Sequence, residues 1–265
     1  MGVVQKTAII IPCYNEARRL QDEEFTLATR ENRELNLFFV DDGSTDGTPE
    51  KLETLCRSNP SQMQLITLEN NSGKAEAVRT GILRALETDF ANVGYWDADL
   101  ATPLRVIPIF CDVLETRGLR LVMGARVRLL GRNIERSALR HYAGRVFATL
   151  SSLVTGLPIY DTQCGAKIFR NCKELKIVFG RPFRVNWTFD VEILARLLMI
   201  ERYMKTPPMI TSTIEYPLEE WTDVPGSKIG PWDFLVGFTE LCRIFYFLRA
   251  PGAERRFSEL KNERS

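Results

Sequence analysis

The stretch NVGYWDADLATP, residues 92–103, joins an apolar run to an acidic pair and then to a helix start. Residues 92–97 read as a strand and its polar end. Thr102-Pro103 reads as an N-cap followed by proline at the first helical position, where the missing N–H costs nothing. Side chains two residues apart in an extended segment share a face, with Cα atoms about 7 Å apart. The carboxylates of Asp97 and Asp99 are therefore expected to meet one cation. The alternative is a turn in which Asp99 caps the backbone and Asp97 is solvated, since aspartate is a common turn residue.

The same pattern recurs along the first half of the chain. TAIIIP (7–12), LNLFFVD (35–41), MQLITL (63–68) and LRLVMGA (119–125) are further short apolar runs, separated by segments of helical spacing. Thr48-Pro49 marks one more helix start, and a helix over 74–87 follows Ser72-Gly73. Apolar strands alternating with helices predict an α/β fold, a mostly parallel sheet flanked by helices on both faces. In open sheets of this kind ligands bind beyond the carboxyl ends of the strands. Tyr14-Asn15-Glu16, Asp41-Asp42, residues 70–74 and Asp97 to Asp99 all fall at such ends. Turn chemistry alone accounts for one or two of these clusters, and their convergence points to a ligand site.

The bulk numbers limit the function classes. The 265 residues are 45% hydrophobic and 26% charged, with a net charge of +1, which fits a globular protein and argues against a dedicated nucleic-acid binder. Locally the balance differs: Arg117, Arg120, Arg126, Arg128, Arg132, Arg136, Arg140 and Arg145 are opposed by Glu135 alone, a bias that attracts anions. The 6 cysteines form no C-x-x-C pair and sit mostly in apolar runs, so buried reduced thiols are expected. With His141 as the 1 histidine, a histidine zinc site or a Ser-His-Asp triad lacks material. The first residues are too briefly apolar for a signal peptide and lack the pattern for myristoylation.

The second half is less regular. SALRHYAGRVFATLSSLVT (137–155) has helical spacing with arginines early and apolar residues late. WDFLVGFTELCRIFYFLR (232–249) is apolar around most of its circumference. Neither reaches the roughly 20 uninterrupted apolar residues that span a bilayer. Each reads as a buried core helix or as an interfacial helix at a membrane surface. AERRFSELKNERS (253–265) is a mixed-charge tail expected to fray.

IIIPCYNE, VDDGSTDGT, GKAEAVRTGI and DADLATP, in this order and at these spacings, resemble the nucleotide-sugar glycosyltransferases of family 2, whose fold is the GT-A (Rossmann-like) type. DTQCGAKIFR (161–170), WTFDVEIL (187–194) and GSKIG (226–230) resemble the branch that glycosylates polyprenyl phosphates, the dolichyl-phosphate glucose and mannose synthases. The resemblance implies a GT-A catalytic domain over 1–235, with 236–265 as the end of an apolar helix and a charged tail. It implies an inverting enzyme that moves glucose or mannose from a nucleoside diphosphate to a polyprenyl phosphate, dolichyl or undecaprenyl. UDP-glucose is the favoured donor and GDP-mannose the second.

Residue roles can be argued beside it. A diphosphate leaving group needs its charge neutralised. Asp97 and Asp99, hard oxygen ligands, suit Mg²⁺ or Mn²⁺, with Asp99 as the first choice of direct ligand. The resemblance implies that Pro12 and Tyr14 pack on the base, that Glu16 meets the ribose or orders its loop, and that Asp41 accepts from a base N–H. Asp42, Gly43 and Ser44 read as structural turn residues. Lys74 opens a helix whose N–H groups and dipole favour an anion, so it is a candidate pyrophosphate contact. Arg79 lies deeper in that helix, as a candidate surface ion-pair residue.

The resemblance expects acceptor-phosphate contacts at Arg126, Arg128, Arg136, Arg140 and Lys228, and guanidinium forks match phosphate oxygens. A phosphate monoester is largely a dianion at neutral pH, its second pKa being about 6, so no strong base is required. Asp161 is a candidate to orient the acceptor or stabilise the oxocarbenium-like centre. Asp190 stands where hydroxyl-acceptor relatives carry their base, or is a helix N-terminal acid stabilised by the dipole. Membrane peripherality, at the cytoplasmic face, follows from a lipid acceptor. The alternatives are a same-fold transferase with a soluble hydroxyl acceptor and Asp190 as base, or a nucleotide-binding or nucleotidyltransferase protein. The last would carry a glycine-rich loop where this chain has PCYNE.

Overall fold

The computed structural model describes residues 5–135, 138–222 and 231–261. In chain order the elements are β1 (Thr7–Cys13), α1 (Asp22–Glu31), β2 (Leu35–Asp41), α2 (Thr48–Ser58), β3 (Met63–Thr67), α3 (Lys74–Ala85), β4 (Asn92–Trp96), α4 (Ile107–Thr116) and β5 (Leu121–Ala125). There follow β6 (Asn133–Glu135), α5 (Ala138–Thr155), β7 (Ala166–Arg170), α6 (Lys173–Phe179), α7 (Phe189–Met204), α8 (Met209–Ser212), β8 (Thr213–Pro217), β9 (Glu220–Thr222), α9 (Pro231–Arg249) and α10 (Ala253–Lys261). They fall into two compact units, Met1–Met123 with Gly165–Asn171 and Gly124–Cys164 with Cys172–Ser265.

In the first unit the sheet order is β3-β2-β1-β4-β7-β5. β1 pairs in parallel with β2 and β4, and β2 with β3, while β7 runs antiparallel to both β4 and β5. The apolar runs dictate this. Ile9, Ile10 and Ile11 are 0% exposed and β2 is buried along its length, as expected of strands covered on both faces. Each such isoleucine contributes about 1.5–3 kcal/mol by burial. Cys13 stands opposite Asp41, and Asp41 opposite Thr67, so β1, β2 and β3 end level and their following loops share one edge. Ala77, Gly81 and Ala85 make a flat buried face on α3. A Cβ at Gly81 would press on Ile10 and Val40. That close packing sets where α3 begins, at Lys74.

Two local expectations are corrected in this unit. Thr102 is not a cap and Pro103 is not inside the helix: Pro103 is extended (ψ 145°) and precedes a 3-10 turn, Leu104–Val106, that leads into α4. The carbonyl of Thr102 instead accepts a bond from Trp96 Nε1 at 2.7 Å, which draws the segment onto the end of β4. Nor is the acidic pair extended. β4 ends at Trp96, the N–H of Leu100 donates to the carbonyl of Asp97 (3.2 Å), and Leu100 has a φ of 53°, so Asp97–Leu100 is a turn.

β5 runs on into the second unit, where β8 is its neighbour and the N–H of Leu218 donates to the carbonyl of Ala125 at 3.0 Å. β6 and β9 form a two-stranded parallel sheet. α7 is apolar and buried through most of its length, and two of its charges pair within it: Glu192 and Arg196, 0% and 1% exposed, meet at 2.7 Å. Arg196 also donates to the carbonyls of Val178, Arg181 and Pro182. Removing one partner of such a pair costs about 3–5 kcal/mol. Glu240 of α9 accepts from the N–H groups of Asn186 and Thr188, satisfying the chain that enters α7.

The tail does not fray at residue 253: α10 is helical, Phe257 and Leu260 are buried, and Phe257 stacks on Tyr203 with ring centroids 5.1 Å apart. α5 and α9 are neither wholly core nor wholly surface. α9 buries Leu241, Ile244, Phe247 and Leu248 and exposes Leu235, Phe238, Phe245 and Tyr246; α5 buries Phe147 and Ala148 and exposes Tyr142, Val146 and Leu153. Among the described residues no helix is long and apolar enough to cross a membrane. The cysteines are mostly the buried thiols expected, but Cys172 is half-buried and Cys242 is exposed.

Candidate active site

The four strand ends of the first unit are tied together by hydrogen bonds. After β1, the N–H of Asn15 donates to Ser44 Oγ (3.0 Å), and Asn15 Oδ1 accepts from the N–H of Thr45 (2.9 Å). The N–H of Asp42 donates to the carbonyl of Cys13 at 2.8 Å. Asp42 then accepts the N–H groups of Ser72 and Gly73, one on each oxygen, at 2.7 and 2.8 Å. This holds the loop after β3 at the start of α3. Gly43 makes the approach possible: its φ is +66°, and a Cβ there would sit 2.7 Å from the backbone of Asn70 and Asn71. Burial raises the Asp42 carboxyl above its ordinary value, against the lowering effect of those two N–H donors.

Lys74, the first residue of α3, reaches the end of β4, where its Nζ lies 2.5 Å from Asp97 Oδ1. Asp99 follows in the turn and accepts the N–H of Ala101 at 3.1 Å. Its carboxyl is raised by burial first and by the charge of Asp97 second, with Lys74 and Arg19 opposing. Two hard carboxylates that repel one another are a donor set that a dication relieves. Among the described residues no group of 3 or more His, Cys, Asp or Glu gathers to hold a metal, here or elsewhere, so the pair would not hold one alone. The rest of a coordination sphere here would come from ligand oxygens and water, the arrangement that Mg²⁺ and Mn²⁺ favour.

The other predicted donor-side residues lie at the same edge. Pro12 is the half-buried penultimate residue of β1, and Tyr14 follows it, half-buried. Asp41, 1% exposed, accepts the N–H of Ser44 on its side chain at 3.3 Å. Glu16 is engaged by Arg19, with contacts of 2.5 and 2.8 Å, so its carboxylate orders the loop. Arg79 pairs with Glu76, two residues after Lys74, at 2.6 Å.

In the second unit Arg126 and Asp161 form a partly buried two-pronged pair: Nε to Oδ2 at 2.6 Å, Nη2 to Oδ1 at 2.8 Å, with the Arg126 N–H on Oδ2 at 3.0 Å. Glu215 holds Asp161 in turn by accepting the N–H groups of Tyr160 and Asp161, both at 2.7 Å. The Arg126 guanidinium lies 5.2 Å from the ring centre of Trp221. Arg128 Nε donates to the carbonyl of Ile134 at 3.3 Å. Asp190, 3% exposed, sits in the first turn of α7. Arg136 and Lys228 lie outside the described residues, as does the side chain of Arg140.

Two site residues were missed from sequence. Gly165 donates room to Asp97, because a Cβ on it would overlap that carboxylate, and its carbonyl accepts the Asp97 N–H at 3.0 Å. Glu215 carries the Asp161 backbone. The glycine inside DTQCGAK was the available signal for the first; nothing in TIEYP singles out the second.

The profile of Glycosyl transferase family 2 matches residues 8–172. The chain is similar to the dolichyl-phosphate beta-glucosyltransferase of Saccharomyces cerevisiae, 31% identical over 244 residues that cover 84% of this chain and 68% of that one. It is similar to the Homo sapiens protein of the same name, 30% identical over 253 residues, covering 87% of this chain and 72% of that one. Among solved structures it resembles glucosyl-3-phosphoglycerate synthase from Mycobacterium tuberculosis in complex with Mn²⁺ and uridine-diphosphate-glucose. The TM-score is 0.62 at 15% identity, covering 93% of this chain and 80% of that one. This likeness is one of fold, the GT-A arrangement of a mostly parallel sheet flanked by helices.

Proposed function

The chain belongs to glycosyl transferase family 2, and we propose that it moves a hexose, glucose ahead of mannose, from a nucleoside diphosphate to a polyprenyl phosphate with inversion at the anomeric carbon. The observation that carries the reading is the repelling pair Asp97 and Asp99 beside Lys74 at the shared strand edge. UDP-glucose is the donor this reading favours, supported by the relatives at 31% and 30% identity that are named for glucosyl transfer to dolichyl phosphate.

Asp97 and Asp99 would hold Mg²⁺ or Mn²⁺, which when bound supplies positive charge to the leaving diphosphate. Lys74, at the N-terminus of α3, exchanges its contact with Asp97 for a diphosphate oxygen, a site that the helix dipole also favours. Pro12 and Tyr14 pack on the base, Asp41 accepts from it, and Glu16, held by Arg19, orders the loop at the ribose. Arg126, Arg128, Arg136, Arg140 and Lys228 receive the acceptor phosphate, with Asp161 fixing the fork of Arg126. An oxygen of that phosphate forms the new bond to the anomeric carbon, and the electron pair of the broken bond leaves with the diphosphate. Because the acceptor is already anionic, Asp190 is not needed as a base, and its burial agrees with this.

The exposed apolar faces of α5 and α9 support a peripheral position at a membrane, where a lipid acceptor presents its phosphate; the cytoplasmic side belongs to the proposal alone. The test is to incubate the protein with UDP-glucose or GDP-mannose, with Mn²⁺ or Mg²⁺, and a short polyprenyl phosphate. Hexose should pass into the organic phase as a β-linked phosphodiester, and chelation should stop it. Transfer to a soluble hydroxyl compound in preference to the lipid would replace this reading with the alternative in which Asp190 is the base.

A further inference from the structure

The second unit holds a cavity of about 380 Å³ lined by Arg184, Cys242, Arg243, Tyr246, Phe247 and Arg256. Three guanidinium groups line it, and among the described residues no carboxylate does. Arg256 is fixed by donating to the carbonyls of Phe247 (3.0 Å), Ala250 (2.6 Å) and Pro251 (2.9 Å), which satisfies the C-terminal end of α9. Its guanidinium lies 5.0 Å from the ring centre of Tyr246. Arg184 lies 4.7 Å from the ring centre of Phe247. Among the described residues neither Arg184 nor Arg243 forms an ion pair.

Cations gathered without counter-charge among the described residues repel, and Arg243 is exposed on α9. Arginines lining one cavity beside aromatic rings have the chemistry of a phosphate site. The flank of the cavity narrows the ligand. Phe238, Phe245 and Tyr246, on the same helix, are 54%, 51% and 63% exposed. Aromatic and arginine side chains together on one helix face suit the level of lipid headgroups, where one end is apolar and the other wet. A soluble anion has no use for that flank.

We propose that this cavity binds the phosphate of an anionic phospholipid headgroup, with Arg184 and Arg243 on its oxygens and the exposed face of α9 against the acyl border. The choice of a lipid rests on the peripheral-membrane reading above; the uncompensated arginines do not. The test is co-sedimentation of the full chain, without sugar nucleotide, with vesicles of phosphatidylcholine alone or with phosphatidylglycerol added. The wild type should prefer the anionic vesicles. Arg184→Gln with Arg243→Gln should bind them about twenty-five-fold more weakly, from about fivefold for each cation at a charged surface, at an unchanged melting temperature. Arg255→Gln, an exposed arginine of α10, should stay near wild type.

Cys242 gives a second readout, since it is exposed and lines the cavity. Anionic vesicles should slow its alkylation in the wild type and not in the double variant. Equal binding of anionic vesicles by wild type and double variant would overturn the proposal. So would protection of Cys242 by inorganic phosphate as strong as that by vesicles, which would assign the cavity to a soluble ion. Neither readout involves sugar transfer, so a chain that shows the vesicle preference but moves no hexose fails the proposed activity alone.

Discussion

Gly165 is the wall against which the Asp97 carboxylate rests, and a Cβ in its place would overlap that carboxylate. The Asp97 N–H also donates to the Gly165 carbonyl, so the backbone cannot move aside without breaking the join between β4 and β7. In Gly165→Ala the carboxylate must therefore turn away from Lys74 and Asp99. Calorimetry with UDP-glucose and Mn²⁺ is expected to give at least about tenfold weaker binding, about 1.4 kcal/mol, with an unchanged far-UV spectrum. Wild-type affinity in this variant would mean that the position of Asp97 has no part in donor binding.

Asp42 acts one step further back, by holding the loop that starts α3. Asparagine offers one acceptor oxygen in place of two, so Asp42→Asn releases one of the N–H groups of Ser72 and Gly73, at a cost of about 1 kcal/mol. The pH dependence gives a separate signature. The folded carboxyl is raised above 3.8, chiefly by burial. Its contribution to stability is therefore fully present below the unfolded value and is lost as pH rises through the folded one. Urea unfolding from about pH 4 upward should show the wild type losing stability relative to Asp42→Asn and then levelling off. A difference that grows with pH would reverse the assigned shift.

The strands that were legible in the sequence are β1, β2, β4 and β5, buried along their length, because continuous apolar runs have few other uses, and the partly exposed β3, whose short apolar run sufficed. β7 was not: AKIFR carries Lys167 and Arg170, yet Lys167 is 0% exposed, its Nζ 5.4 Å from the ring centre of Tyr95. The acidic pair was legible as chemistry but not as geometry, since a turn through Leu100 at positive φ leaves no mark in a leucine. α10 was read as a fraying tail because its charges outnumber its apolar residues. Phe257 and Leu260, three apart, are nevertheless enough to anchor it. Gly165 lies far along the chain from Asp97, and no local pattern joins them.

Asp99 and Asp190 separate the two acceptor chemistries. Asp99 is part of the repelling pair that would hold the cation, so Asp99→Asn is expected to lower kcat by two to three orders of magnitude, about 3–4 kcal/mol of transition-state stabilisation. Asp190, buried in the first turn of α7, should tolerate asparagine with less than about a tenfold loss. Initial rates with saturating polyprenyl phosphate compare the two directly. Equal losses would favour a hydroxyl acceptor and a basic role for Asp190.

Arg126 and Asp161 behave as one group, because both carboxylate oxygens are engaged by the fork and the Asp161 backbone is fixed by Glu215. Lysine keeps the charge of Arg126 but cannot make two parallel bonds, so it loses the orientation. If Asp161 serves to aim Arg126 at the acceptor phosphate, Arg126→Lys and Asp161→Asn should each raise KM for polyprenyl phosphate by about tenfold or more, with UDP-glucose affinity unchanged. The double variant should be little worse than either single one, since each change removes the same interaction. Additive losses would mean that Asp161 meets the substrate by itself. A change in donor affinity without any in lipid KM would remove both residues from the acceptor side.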